Sequence, residues 1–170
     1  GYKLIAIDLE TRDPDLKSKG SGAVIGNGEI IGVAVAVDGW CKYYPFGHEG
    51  GGNLDKKRIL EWVKAVCSTE ATKIFHNAMY DVCWLRSYGI KINGHIMDTM
   101  VMASLVDENR MRYTLNALSW EYLGERKSEA TLFEIAKNWG IDPKAELYKL
   151  PAIYVGEYAE KDASLTLDLF

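Results

Sequence analysis

A pair of acids near the start of the chain has the spacing that metal-dependent chemistry needs. Asp8 and Glu10 are separated by one leucine at the end of an apolar run. Alternate side chains of an extended strand point to the same face, so the two carboxylates share one side. Like charges this close disfavour each other's ionised forms unless a cation lies between them. The pair therefore predicts a divalent-metal site, with solvated turn residues as the simpler alternative.

Two further acids and a tyrosine lie on predicted helices. Asp81 comes shortly after a short strand, where open α/β sheets place their sites, although helix capping is the alternative. Tyr158 and Asp162 are four residues apart and so project from one helix face. Asp162 lies beside the apolar side of that helix, where a carboxylate needs a partner. The alternative is an exposed, charge-rich helix with a half-buried tyrosine.

These residues form a set suited to oxygen-liking cations. The four carboxylates come without histidine or cysteine, which favours Mg²⁺ or Mn²⁺ as the cofactor. Two such ions ~3.5–4 Å apart form a phosphodiester-cleaving site, one activating water and one stabilising the leaving oxygen. A nearby tyrosine hydroxyl can orient that water. The predicted metal ligands are Asp8, Glu10, Asp81 and Asp162, with Tyr158 as the fifth catalytic residue.

Composition indicates one globular domain. The chain has 170 residues, 48% of them hydrophobic, and a formal net charge of −4. This charge argues against a broad basic nucleic-acid surface but leaves room for a narrow site whose metals supply the positive charge. Three cysteines without CxxC spacing predict reduced thiols and a cytosolic location. No apolar run is long enough to span a membrane.

The ends of the chain led to a further expectation. It starts at Gly1 without methionine and stops at Phe170 inside an apolar, helix-like pattern. We expect residues 1–170 to be one domain of a longer chain.

The elements that must position the acids follow from apolar patterns. Strands are predicted over 4–10, 30–37, 40–46, 73–77 and 95–98, with Asp38-Gly39 as a hairpin turn. The fully apolar second strand predicts a sheet covered on both faces. Predicted helices include 78–88, 99–106, 131–139 and 153–170. The order of elements predicts an α/β sandwich around a mixed sheet.

Two local predictions concern the connections. Gly20-Ser21-Gly22 is predicted to be a flexible loop. Asn53 is predicted to cap a helix whose buried positions are Ile59, Leu60, Val63 and Val66.

The acidic motifs resemble those of a known family. Asp8-x-Glu10, Asn77-x-x-x-Asp81 and Tyr158-x-x-x-Asp162 resemble the three exonuclease motifs of the DEDD superfamily, in its tyrosine-bearing branch. The segments 98–104 and 113–118, with Tyr122-Leu123-Gly124, resemble the 3′–5′ exonuclease domain of bacterial and phage family A DNA polymerases, which are similar to DNA polymerase I. The resemblance spans essentially the whole chain.

The resemblance implies a ribonuclease H-like fold, a mixed β-sheet flanked by helices, and removal of nucleotides one at a time from a 3′ end. It implies that Asp8, Glu10 and Asp162 hold the tighter metal ion and that Asp8, helped by Asp81 through waters, holds the second. Tyr158 would align the attacking water. The implied role is proofreading for an attached DNA polymerase.

Substrate and partner expectations also come from the resemblance. Thr11 and Asn77 match positions near the terminal nucleotide, and Phe133 is a candidate for stacking on its base, with a core aromatic as the alternative. Leu16 is a candidate for a strand-separating wedge. The implied partners are a single-stranded DNA 3′ end and a polymerase domain in the same parent chain. We expect a monomeric isolated domain in the cytoplasm of a bacterial or phage-infected cell.

Three other functions share parts of this pattern. A ribonuclease D-like or helicase-associated exonuclease shares the same five residues and is separated by its preference for RNA. An inactive exonuclease fold serving as a structural module is disfavoured because all five positions are filled. A phosphatase acting without a polynucleotide lacks a phosphate loop or basic clamp in the sequence.

Overall fold

The computed structural model, which describes residues 1–125 and 129–170, contains one mixed five-stranded sheet. Its strand order is β3-β2-β1-β4-β5. Strand β1 pairs antiparallel with β2 and parallel with β4, and β5 extends the parallel half. The strands are β1 (Leu4–Arg12), β2 (Glu29–Val37), β3 (Trp40–Pro45), β4 (Thr72–Phe75) and β5 (Ile96–Asp98).

Helices cover both faces of this sheet, so the predicted α/β architecture is confirmed. The first two are single turns, α1 (Leu16–Lys19) and α2 (Gly22–Ile25). A 3-10 turn, Leu147–Lys149, precedes the last and longest helix. The others are α3 (Lys56–Ser68), α4 (Ala78–Ser87), α5 (Thr99–Val106), α6 (Leu115–Leu123), α7 (Glu129–Asn138) and α8 (Ala152–Leu169).

The alternation of β1 divides the core into two clusters. Ile5, Ile7 and Leu9 belong to the cluster on the side of α3 and α4. Ala6 belongs to the other cluster, with Ala159 and Ala163 of α8. Small residues on both elements let the helix approach the sheet closely. Since Asp8 and Glu10 share the face of Ala6, this packing turns both carboxylates toward α8.

The position of β2 inside the sheet explains its fully apolar sequence. Its residues from 30 to 37 are all buried, because helices cover both sides of this inner strand. The predicted hairpin turn is confirmed, since Val37 pairs with Trp40 across Asp38-Gly39 and Gly39 has a φ of 74°. Only glycine adopts such a φ at no steric cost.

Of the two local predictions, one was wrong and the other was right in part. Asn53 does not cap α3; the Asp55 carboxylate accepts the N–H of Arg58 at 2.8 Å, while the Asn53 amide bonds to the backbone of His48. Several short polar side chains precede this helix, and apolar spacing does not say which is the cap. The loop predicted at Gly20-Ser21-Gly22 is right for Gly20 and Ser21, which connect α1 to α2, whereas Gly22 is the first residue of α2.

The remaining differences are small. Val63 and Cys67 are the buried residues of α3, whereas Ile59, Leu60 and Val66 are half-buried and pack against the core. Among the described residues α7 already includes Glu129, two residues before its predicted start, and α8 begins one residue early. In the described ranges, no helix combines the length and the apolar character that crossing a membrane requires.

Candidate metal centre and substrate cleft

Three carboxylates meet at the end of β1. One oxygen each from Asp8, Glu10 and Asp162 can be chosen so that all lie within 4.8 Å of one another. Two come from the strand and the third from α8, whose Asp162 is only 4% exposed. Ionised carboxylates this close to one another repel unless a positive charge lies between them.

Tyr158 lies one helical turn before Asp162 and close to the same acids. Its side chain is half-buried, and burial raises the pKa of its hydroxyl strongly, with further increases from the charges of Asp162, Glu10 and Asp8. The phenol is therefore neutral at any working pH. It keeps one O–H donor for an acceptor in the centre.

Asp81 reaches the cluster from the opposite side of the sheet. It lies in the first turn of α4, is 5% exposed, and accepts a hydrogen bond from the backbone N–H of Leu9. Burial is the main cause that raises its carboxyl pKa, and the charge of Asp8 is the second. Its contact with Leu9 places it beside the strand residue between Asp8 and Glu10. The end of β1 thus has carboxylates on both sides.

The donor set fits a hard divalent cation. The cluster offers carboxylate oxygens, which suit Mg²⁺ and Mn²⁺, and it lacks the thiolate or imidazole that would favour zinc. Asp8, Glu10 and Asp162 would hold such an ion. Asp81 is close enough to Asp8 for its charge to be felt and is the candidate ligand of a second ion.

A cleft opens beside the centre, with about 450 Å³ of space. Thr11 and Asn77, both predicted to contact substrate, line it, and so does Leu16, the predicted wedge, which is 44% exposed. Phe133 is half-buried on α7 and does not line this cleft. The remaining lining residues are Asp13, Pro14, Lys17, Tyr80, Lys144 and Ala145.

Tyr80 organises one wall of the cleft. Its hydroxyl donates to the Asp13 carboxylate at 2.9 Å and accepts from the Thr11 hydroxyl at 2.9 Å. Burial raises the pKa of Tyr80 to about 12, so the ring stays neutral. Because side chains alternate along β1, Thr11 faces α4, where its hydroxyl bonds to that of Tyr80, while Glu10 faces α8.

A buried tyrosine–histidine pair supports the other side of the centre. The Nδ1 of His48 bonds to the carbonyl oxygen of Leu150 at 3.0 Å, and a carbonyl can only accept, so Nδ1 carries the proton. The Nε2 therefore accepts from the Tyr43 hydroxyl at 2.7 Å. The Tyr43 ring lies over Gly32, where a Cβ would be 2.1 Å from its oxygen. Gly32 pairs with Glu10 across the sheet.

This pair predicts a stability loss in mild acid. Burial is the main cause that lowers the pKa of His48, so the unfolded chain binds its proton at a higher pH than the folded chain does. The free energy of unfolding should therefore fall as the pH drops below the ordinary histidine value of ~6.5, by at most about 1.4 kcal/mol per pH unit. Denaturant melts between pH 7.5 and pH 5 measure this.

Two variants assign that loss. His48→Gln should flatten the acid limb of the stability curve. The matched control is His95→Gln, since His95 is exposed and should leave the limb unchanged. An unchanged acid limb in His48→Gln would contradict the neutral, Nδ1-protonated histidine.

Sequence reasoning missed several of these residues. Tyr43 and His48 lie on a strand and a loop that carried no motif, and only their distance in space shows the pair. Tyr80 stands directly before Asp81, so its position in the motif was the available signal. Asp13 and Lys17 follow the first motif closely, but no pattern in the sequence marked them as cleft residues.

A mixed sheet with an acidic cluster at the end of its first strand defines a ribonuclease H-like nuclease domain. A family model described as 3′-5′ exonuclease matches residues 1–170. The chain therefore belongs to the 3′–5′ exonuclease family, the exonuclease domain of family A DNA polymerases.

Relatives in sequence are polymerases. The DNA-directed DNA polymerase of Pseudomonas phage M6 is 37% identical over 174 residues, which cover 99% of this chain and 26% of the relative. The DNA polymerase DpoZ of Salmonella phage PMBT28 is 27% identical over 176 residues, with the same coverage. DNA polymerase I of Chloroflexus aurantiacus is 26% identical, with 82% and 14% covered. The chain thus spans about a quarter or less of these relatives.

Solved structures share the fold at low identity. Brucella melitensis NrnC with bound Mg²⁺ superposes with a TM-score of 0.64 at 20% identity, covering 99% of this chain and 70% of the other. The Pol1 polymerase of M. smegmatis, in complex with a DNA primer-template and dNTP, gives 0.59 at 17%, covering 97% and 22%. These similarities confirm the DEDD exonuclease architecture that the motifs implied.

Proposed function

We propose that this chain hydrolyses the terminal phosphodiester bond at the 3′ end of single-stranded or frayed DNA and releases nucleoside monophosphates. The observation that carries the proposal is the convergence of Asp8, Glu10 and Asp162 within 4.8 Å at the end of β1. Asp81 adds a fourth carboxylate on the other side of the strand. As the exonuclease part of a longer chain, it would proofread for a polymerase domain, since the relatives it matches are DNA polymerases.

Two divalent ions would be held here, and when bound they supply an activated water and charge stabilisation for the leaving oxygen. The residues of the chain supply orientation. Tyr158 is neutral and can hydrogen-bond the attacking water without adding charge to the centre. Thr11, Asn77 and Tyr80 offer polar atoms to the terminal nucleotide in the neighbouring cleft. Phe133, half-buried on α7, stays a weaker candidate for stacking on a base.

The wider setting is proposed on the same grounds. We place residues 1–170 as one exonuclease domain, monomeric when isolated, in the cytoplasm of a bacterial or phage-infected cell. A net charge of −4 supports a local, metal-supplied grip on DNA rather than a broad basic surface.

The test is digestion of an oligonucleotide carrying a 5′ label, with Mg²⁺ or Mn²⁺ and with EDTA. Single-nucleotide shortening from the 3′ end is expected with metal and none with EDTA. A 3′-blocked oligonucleotide and circular single-stranded DNA should both resist. Cutting of the circle would contradict an exonuclease, and no digestion of any substrate would favour the inactive module.

An RNA exonuclease is the second candidate. NrnC, which shares the fold at 19% identity, has been solved bound to pGG. Sequence favours DNA, because the 37% identical relative is a DNA-directed DNA polymerase. Parallel digestion of DNA and RNA of one sequence separates the two. Faster release from RNA would overturn the DNA assignment.

Metal binding should be visible without any substrate. Because the four carboxylates repel one another, Mn²⁺ should bind the folded chain and raise its melting temperature by mass action. At a concentration of 100 times the dissociation constant, the gain is about 2.7 kcal/mol. Differential scanning fluorimetry with millimolar Mn²⁺ and with EDTA measures it. The absence of a shift would argue strongly against a metal centre.

A further inference from the structure

One carboxylate outside the acidic cluster joins two helices at the edge of the substrate cleft. Asp98 is the last residue of β5, and its Oδ1 accepts the N–H of Met100 at 2.9 Å at the start of α5. The same oxygen accepts the N–H of Asn77 at 3.0 Å, and Oδ2 accepts the N–H of Ala78 at 2.7 Å. A single side chain thus satisfies amide groups at the N-termini of α4 and α5.

The backbone is unusual at Asn77, which Asp98 binds directly before α4. Asn77 has a φ of 65°, and among the described residues it is the one non-glycine residue with a positive φ. This left-handed conformation is unfavourable for a residue with a Cβ, and the surrounding structure must hold it. The Asn77 side chain makes no capping bond to α4, so the Asp98 carboxylate takes that place.

Asn77 and the first turn of α4 carry residues of the proposed site. The side chain of Asn77 is exposed and lines the cleft. Tyr80 and Asp81 follow in the first turn of α4. Any change in how α4 begins therefore moves a cleft wall and a candidate metal ligand together.

We propose that Asp98 is a positioning residue for exonuclease activity: by bonding to Asn77 and Ala78 it holds α4 so that Asn77, Tyr80 and Asp81 face the substrate. This inference rests on the proposed function and adds to it. Asp98 itself does not line the cleft. Its negative charge also contributes to raising the carboxyl pKa of Asp81, after burial and Asp8, which places it near the centre.

The alternative is that Asp98 only stabilises helices, and the chain offers a matched control for that. Asp55 caps α3 through one bond to the N–H of Arg58 at 2.8 Å. It lines a groove with Tyr44, Leu54 and Trp62 rather than the substrate cleft. Asp98→Ala and Asp55→Ala both remove an aspartate N-cap, but only the first touches α4.

The experiment compares steady-state digestion of a single-stranded 3′ end by the two variants, at saturating Mn²⁺ and well below both melting temperatures. Asp98→Ala should lower kcat/KM about 10–100-fold, the effect typical of losing a supporting shell, with the rise in KM contributing the larger share. Asp55→Ala should stay within about twofold of wild type. Equal kcat/KM for the two variants would overturn the positioning role.

Amide hydrogen exchange gives a readout that does not depend on activity. The N–H groups of Asn77 and Ala78 should exchange faster in Asp98→Ala and remain protected in Asp55→Ala. If Asp98→Ala does not fold, Asp98→Asn replaces it, since it keeps one acceptor oxygen and loses the other. Unchanged protection of both amides in a folded variant would also overturn the inference.

The failure of this inference can be told from failure of the proposed function. A wild-type chain that shortens no 3′ end in Mn²⁺ refutes the proposed function. The amide exchange rates of Asn77 and Ala78 would still test whether Asp98 positions the start of α4. An active wild type with an equally active Asp98→Ala refutes the positioning role alone.

Discussion

Asp162→Ala is expected to remove most of the metal-dependent release of nucleotides, by a factor of about 10³ or more. Asp162 is the ligand candidate that α8 adds to the two acids of β1, so its loss leaves the cluster open on the helix side. Binding of Mn²⁺, followed by calorimetry, should weaken in parallel with the rate. Both measurements are needed, since a fall in rate alone does not distinguish lost metal from lost orientation.

Asp168→Ala is the matched control for that substitution. Asp168 lies on the same helix but is exposed and belongs to a different part of the surface. It should keep wild-type metal affinity and rate. Asp162→Asn is the second variant, because it keeps the shape of the buried side chain while removing its charge. Full Mn²⁺ affinity in both Asp162 variants would contradict the assignment of this residue as a ligand.

The fold could be predicted well from sequence because its elements have strong local patterns. A strand with an apolar run such as 30–37 cannot be half-exposed, and all of these residues are buried. A helix was predicted over 78–88, and α4 spans Ala78–Ser87. Boundaries and caps were less accurate, as Asp55 in place of Asn53 shows, since they depend on one hydrogen bond each.

The candidate site was predictable where roles follow chain spacing. Asp8 and Glu10 must share a face of β1, and Tyr158 must lie one turn from Asp162, whatever the rest of the chain does. That these elements meet requires close packing of α8 on the sheet. Alanines such as Ala159 permit this close packing, but their presence in the sequence does not establish that the helix and the sheet meet.

What could not be predicted are contacts between segments distant in the chain. Asp98 bonds to Asn77 and Ala78 across 21 and 20 residues, and His48 bonds to Leu150 across 102. Contacts of this kind leave no periodic pattern in the sequence. The shift in the register of β1 against β2 after Glu10 is also invisible in the sequence.

Tyr158→Phe is expected to slow nucleotide release by about 10–10³-fold while leaving Mn²⁺ binding intact. The substitution removes one hydroxyl and keeps the ring, which packs against the core cluster that contains Ala159 and Ala163. Because burial and the neighbouring acids keep that hydroxyl neutral, the lost group is a hydrogen-bond partner and not a charge. The candidate metal ligands should therefore be undisturbed.

Tyr154→Phe provides the comparison, since Tyr154 lies one turn earlier on the same helix with 44% of its surface exposed. It should be as active as wild type. Rates at saturating Mn²⁺ and calorimetric titrations of both variants decide between orientation and ligation. A Tyr158→Phe variant as metal-deficient as Asp162→Ala would make the tyrosine part of the metal centre. A fully active one would reduce it to a packing residue, because the retained ring would then account for everything Tyr158 does.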